Sequence, residues 1–212
     1  MFEKRRVLFG EPVQITASPE RNALVTALKA IEAREGERKG WDQPPRLFSL
    51  HLADIDSGAV ELRVIPPRVW TRGRRNPADD LLAWAQQVPE TGPVDYLAFA
   101  DSPDGFAGLA FMVEAWAAPM DTVTPEEAAR RAAGERTFLD AGREGRREAR
   151  MVMAVDVNGH AYTLQRLRGD AEPRVGTTGA DPDHLIEESR GRAPYALGRL
   201  VHAVRTGALR LG

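Results

Sequence analysis

Apolar residues recur along the chain in two periods, and the clearest run is Met151 to Arg168, MVMAVDVNGHAYTLQRLR. Two strand-like arms flank Asn158-Gly159. That pair predicts a hairpin closed by a type I′ turn, because Asn tolerates φ > 0 and Gly adopts it freely. In the first arm Met151, Met153, Val155 and Val157 share one face, and Val152 and Ala154 the other. Apolar residues on both faces predict an interior strand. The second arm, with Tyr162 and Leu164 facing one way and Thr163 and Gln165 the other, is half polar and is expected nearer an edge.

The other elements follow from the same pattern. Residues 1–17 hold Val7-Leu8-Phe9 and the alternating Val13 and Ile15, a peripheral strand or ordered arm. Ser18-Pro19 reads as an N-cap and first helical position, and Leu24, Leu28 and Ile31 carry a helix from about 19 to 35 that stops near Gly36. Its other face is charged (Arg21, Lys29, Glu32, Arg34, Glu35). Pro44-Pro45 delivers an extended chain into the strand Leu47–Leu52. After the turn cluster at 54–58, the strand Val60–Ile65 alternates, with Val60, Leu62 and Val64 expected inward. Asn76-Pro77 opens a helix to about Val88 that buries Leu81, Leu82 and Trp84 or Ala85. Tyr96–Ala100 is a short apolar element, strand or helical turn, and Leu109–Trp116 is a strand apolar enough to be central. Residues 120–149 balance acids against arginines around little that is apolar, and are expected to form a polar, mobile insertion. Residues 169–179 read as a loop, Asp181-Pro182-Asp183 starts a helix, and a last helix spans about Pro194 to Thr206. The fold class is α+β in one domain, 1–212: a mainly antiparallel sheet of two β-hairpins plus one or more extra strands, with helices packed on one face.

Composition narrows function mainly by exclusion. A net charge of −2 gives no global attraction to nucleic acid or anionic membrane, and the absence of Cys removes disulfides, thiolate nucleophiles and Cys-based zinc sites. No apolar run approaches the ~18 residues of a membrane helix. A cytoplasmic protein is expected. Arg greatly outnumbers Lys, as in GC-rich coding sequence.

Candidate chemistry is sparse. His51, His160, His184 and His202 form no HxxxH, HExxH or HxH pair. Asp54-Ile55-Asp56 and Asp101–Gly105 have the composition of turns more than of metal sites. No GxSxG, GxGxxG or Walker-type loop is present, and Arg174–Gly179 is read as an ordinary glycine loop. The distinctive stretch is basic: Arg68, Arg72, Arg74 and Arg75 surround Trp70, with Trp41 placed nearby. Arginine with an aromatic residue is the composition of a protein-interface hot spot or of a phosphate-and-stacking site. The simpler reading, favoured for the loop taken alone, is a solvated segment whose arginines pair with Asp79 and Asp80.

Gly40-Trp41-Asp42-Gln43-Pro44-Pro45-Arg46-Leu47-Phe48-Ser49-Leu50 resembles a "GWDxPPRLFAL"-like segment. That segment follows the first helix in an uncharacterised family of small proteins from high-GC Gram-positive bacteria. The order of the later strand, hairpin and closing helix is similar to that family's. The resemblance implies a cytoplasmic bacterial α+β protein and no activity.

The sequence therefore supports two readings. In the first, the chain is a non-enzymatic protein-interaction module (adaptor, chaperone-like or regulatory) working through Trp41, Arg68, Trp70, Arg72, Arg74 and Arg75. In the second, an enzyme or ligand-binding site on the sheet face converges only in three dimensions, from His51, Arg63, Glu114 and Trp116. No cofactor, metal, membrane or nucleic-acid partner is expected. A protein partner or self-association is, because the two-sided apolar strand needs a cover that helices on one face would not supply.

Overall fold

Side-chain alternation on the central strands decides the architecture. A computed structural model describes residues 21–54, 59–73, 76–91, 105–117, 124–126, 129, 145–178 and 191–205. Six strands form one sheet: β1 (Arg46–Asp54), β2 (Ala59–Ile65), β3 (Phe106–Ala117), β4 (Arg147–Asp156), β5 (Ala161–Leu167) and β6 (Arg174–Thr178). Their order is β2-β1-β3-β4-β5-β6, and every neighbouring pair is antiparallel. The helices are α1 (Arg21–Lys39), a single turn α2 (Pro67–Trp70), α3 (Pro77–Thr91) and α4 (Arg192–Arg205). The α+β class and the mainly antiparallel sheet with its two hairpins are as the sequence indicates.

The helices, expected on one face, lie on both. Met153 and Val155 of β4, and Val157 just after it, pack with Leu47, Leu109 and Phe111, and with Trp70, Leu81, Trp84, Leu197 and Leu200 from α2, α3 and α4. The alternate residues, Val152 and Ala154, pack with Phe48, Leu50, Met112, Tyr162 and Leu164, and with Leu24, Leu28 and Ile31 of α1. The first hairpin arm is thus an interior strand covered on both faces, and α1 of the same chain supplies the second cover. Covering β4 on its second face therefore does not need a partner.

Other departures have local causes. Helix α1 does not stop at Gly36; it runs on to Lys39 and closes at Gly40, which has φ +68° and donates its N–H to the Gly36 carbonyl at 3.0 Å. Glu32 and Glu35, assigned above to its solvent face, are buried. Within β2, Val60 and Leu62 pack toward α1, but Val64 is exposed and Ile65 is buried. That follows from β2 being the last strand in the sheet order. The region expected to be a loop after β5 contains β6, and the insertion ends at Arg147, where β4 begins.

The Asn158-Gly159 turn is not type I′. Gly159 has φ +86°, but Asn158 does not have positive φ. The Gly159 N–H donates to the Asp156 carbonyl at 3.0 Å, and Asp156 N–H to the His160 carbonyl at 3.0 Å. This is a three-residue loop, a tight turn followed by a left-handed glycine. The N-cap reading of Asn76 holds: its Oδ1 accepts the Ala78 N–H at 3.0 Å. The arm at 1–17, the Tyr96–Ala100 element, most of 120–149 and the helix begun at Asp181 lie outside the described residues.

Candidate functional site

A network of buried charged residues lies at one end of the sheet, on the α1 side, where β3 outruns β1. Register pairs Arg46 of β1 with Met112, and Pro44-Pro45 ends the pairing because proline has no N–H to donate. Residues 113–117 of β3 therefore continue beside β4 alone. Glu114 pairs in register with Arg150, and Trp116 with Glu148.

Arg150 is 2% exposed. It shares a face with Val152 and Ala154, so strand alternation drives it inward where α1 ends. Its guanidinium donates to Glu114 Oε1 from Nε at 3.1 Å and from Nη2 at 2.8 Å, reaches Glu32 Oε1 at 3.5 Å, and also donates to the Gly40 carbonyl. Glu32 is held again by Arg166, at 2.9 Å and 2.8 Å from its Nε and at 2.7 Å from its Nη2. This bond to Glu32 is the main reason the Arg166 pKa is raised further. The other Glu114 oxygen accepts the backbone N–H groups of Asp42 at 2.6 Å and Gln43 at 3.0 Å. Glu114 thus pins the Gly40–Gln43 segment, in which Asp42 adopts φ +67°. The Trp41 ring lies with Arg150 4.8 Å and Arg168 5.6 Å from its centre. Arg46 completes the junction by pairing with buried Glu35 at 2.7 Å.

Trp116 sits two residues beyond Glu114 on the same face and is 48% exposed. The Arg146 guanidinium covers its ring at 3.8 Å. Arg168 bonds Glu148 through its side chain and, at 2.8 Å, through its N–H to the Glu148 carbonyl. A continuous row results: Arg146, Trp116, Glu148, Arg168, Trp41.

The sequence-selected sets are therefore regrouped. Trp41 of the first set and Glu114 and Trp116 of the second come together. Trp70 does not join them. It is fully buried, edge-on to Phe111 at 5.6 Å between ring centres. Pro67 starts one helical turn, with the Thr71 N–H on the Pro67 carbonyl at 2.8 Å, and that turn points Val69 and Trp70 into the core. Arg68 and Arg72 stay at the surface, and Arg72 bonds the Thr71 carbonyl at 3.1 Å. Arg74 and Arg75 lie outside the described residues.

His51 and Arg63 are remote from Glu114. His51 pairs in register with Phe106 at the far end of β3, on the opposite face. It is buried, its Nε2 lies 3.0 Å from Ser49 Oγ, and its Nδ1 has no partner. Burial, and then the charge of Arg63, lower its pKa to about 4, so the ring is neutral across the ordinary range. Arg63 pairs with Glu61 at 3.5 Å. The four-residue pocket of the second reading does not form. Among the described residues no group of three or more His, Asp or Glu side chains is arranged to hold a metal ion, and no helix is long and apolar enough to cross a membrane.

Sequence reasoning missed Glu32, Arg146, Arg150, Arg166 and Arg168. The available signal was Arg150 itself, an arginine on the inward face of an otherwise apolar strand. No curated protein and no solved structure matches this chain. A family model described as PPA1309-like protein matches residues 24–190, a span that contains all but the first three residues of α1, the whole sheet and the row of aromatic and charged residues at its end. By that match over most of its length, the chain belongs to the PPA1309-like protein family.

Proposed function

We propose that this protein is a non-enzymatic interaction module and that its contact surface is the sheet end carrying Trp41, Trp116, Arg146 and Arg168. The observation that carries the reading is Trp116, half exposed on the part of β3 beyond β1, with an arginine stacked on its ring. Leaving much of an indole in water forgoes burial worth about 25 cal/mol per Å². Tryptophan and arginine are the residues on which binding energy concentrates when a partner covers them. Beneath this surface Glu114, Arg150 and Glu32 are committed to one another and to the Gly40–Gln43 backbone. They act as a rigid support for it, which limits the entropy that binding must remove.

Affinity capture from native lysate tests the reading. The paired substitution Trp116→Ala with Arg168→Ala is expected to lose a partner that wild type retains. Arg68→Ala with Arg72→Ala, on the other side of the sheet, is expected to keep it. Loss with the second pair but not the first contradicts the proposal, as does capture of nothing by wild type.

A further inference from the structure

The sheet has two open edges, because among the described residues no strand lies beyond β2 or beyond β6. Each edge offers a row of backbone N–H and C=O groups that no strand of the sheet meets, a template for one more strand. The edge at β6 is poor: five residues, with one exposed apolar side chain, Val175, beside Gly176. The edge at β2 is better. It runs seven residues, Ala59–Ile65, and alternates in two stripes. Val60, Leu62 and Val64 lie on the α1 face, opposite Leu52, Leu50 and Phe48; the first two are half-buried and Val64 is 49% exposed. Glu61 and Arg63 lie on the other face, paired with each other at 3.5 Å, and both side chains reach solvent.

A second copy of β2 fits this edge. A two-fold axis perpendicular to the sheet sets the two strands antiparallel and keeps the α1 face of each chain on the same side. Only registers centred on a residue are then open, because opposed residues share a face. Centring on Glu61 sets two carboxylates directly opposite, and centring on Arg63 sets two guanidinium groups opposite; both are unfavourable. Centres nearer either end leave more than half of the strand unpaired. Centring on Leu62 sets Glu61 of each chain opposite Arg63 of the other, twice, on one face. On the α1 face it sets Leu62 opposite Leu62 and Val60 opposite Val64, again twice. Leu62 is also the midpoint of Ala59–Ile65, so the whole strand pairs with no overhang.

We propose that β2 is the contact surface for a second copy of this chain, pairing antiparallel about Leu62 and joining the two six-stranded sheets into one. The charges specify the register, and Val64, exposed in the single chain, is covered by Val60 of the other. Backbone hydrogen bonds across the new pair supply the rest, as in other strand additions. One strand pair about 24 Å long makes a small interface. The association is therefore weak, with a Kd on the order of 100 µM. It completes no core, and it is separate from the surface at the sheet end.

Sedimentation velocity across about 5–500 µM tests it. Wild type is expected to pass from monomer toward dimer over that range. Glu61→Arg and Arg63→Glu each turn two opposite-charge pairs into two like-charge pairs, and each is expected to weaken dimerisation about thirtyfold. Both positions are at the surface, and thermal midpoints near that of wild type at the lowest concentration show that the variants fold. An equal mixture of the two variants restores both opposite-charge pairs between unlike chains, so it is expected to dimerise as wild type does. The chain has no cysteine, which allows a direct check of register. Leu62→Cys is expected to cross-link to its own copy on mild oxidation; Val64→Cys, about 14 Å from its counterpart, is not. Wild type that stays monomeric, single variants that dimerise like wild type, a mixture that stays monomeric, or cross-linking at 64 and not at 62 would each overturn the proposal.

Discussion

His51 is a histidine kept neutral inside a sheet, and that sets an acid limit on stability. Its folded pKa, about 4, lies below the unfolded value near 6.5. Between these two values the unfolded chain takes up a proton that the native state does not. Stability is therefore lost as pH falls through that window, at up to about 1.4 kcal/mol per pH unit, and is fully present above pH 6.5. Urea unfolding at pH 7, 5.5 and 4.5 should show His51→Gln losing less stability on acidification than wild type; equal losses would contradict the assignment. Arg150 is a second measurable residue. Its replacement by Met leaves Glu114 Oε1 without its guanidinium partner, while Glu32 keeps Arg166, and should cost about 3 kcal/mol. Paired with Glu114→Gln, it should lose less than the two single costs added together, because the residues share one network. Additive costs would mean that the bond between them does not form. Arg150 also marks a limit of sequence reading. Its inward face was legible from the alternation of Val152 and Ala154, but its partner Glu114 became visible only once β3 and β4 were paired in register.

At the scale of elements, backbone chemistry and the apolar faces of α1 and α3 are legible in the sequence, and the exceptions are Trp70 and two buried acids of α1. The hairpin at Gly159, the Asn76 cap and the strand end at Pro44-Pro45 follow from local rules, and the structure contains all three. Trp70 was misplaced because arginines on either side suggest a surface, whereas one turn begun at Pro67 points the indole inward. Glu32 and Glu35 were misplaced because α1 looks charged on that face until its arginine partners arrive from β1, β4 and β5. Gly36 shows how closely α1 meets those partners. A Cβ there would stand 2.5 Å from Arg150 Nη1. An alanine in mid-helix ordinarily stabilises by about 1 kcal/mol over glycine; here Gly36→Ala is expected to destabilise, as read by the thermal midpoint. A raised midpoint would show that Arg150 yields easily and that the junction is loose. Gly159→Ala, at φ +86°, should cost about 1–3 kcal/mol by the same measurement.

For the whole molecule, the main consequence is that one chain covers both faces of its own sheet. The fold class and the first five strands were legible in the sequence; β6, in a segment that reads as a glycine loop, was not. The two-sided cover was not, because nothing in α1 alone says which face it takes. Assembly is thus not required to complete the core, and the thermal midpoint of the Glu61→Arg variant, in which pairing through β2 is opposed, should not change with protein concentration; a rise with concentration would restore self-association as part of the fold. The exposed aromatic and charged row, with Trp41 and Trp116, then marks one end of that sheet.

Site-specific photo-cross-linking in the native host tests the contact surface most directly, with the photoreactive residue at Arg168, which is exposed in the row and leaves Trp41 and Trp116 intact, and a comparison at Arg68. A discrete cross-linked partner from position 168 and none from position 68 is the predicted result. A partner captured from position 68 and not from 168 would place the contact elsewhere and contradict the account.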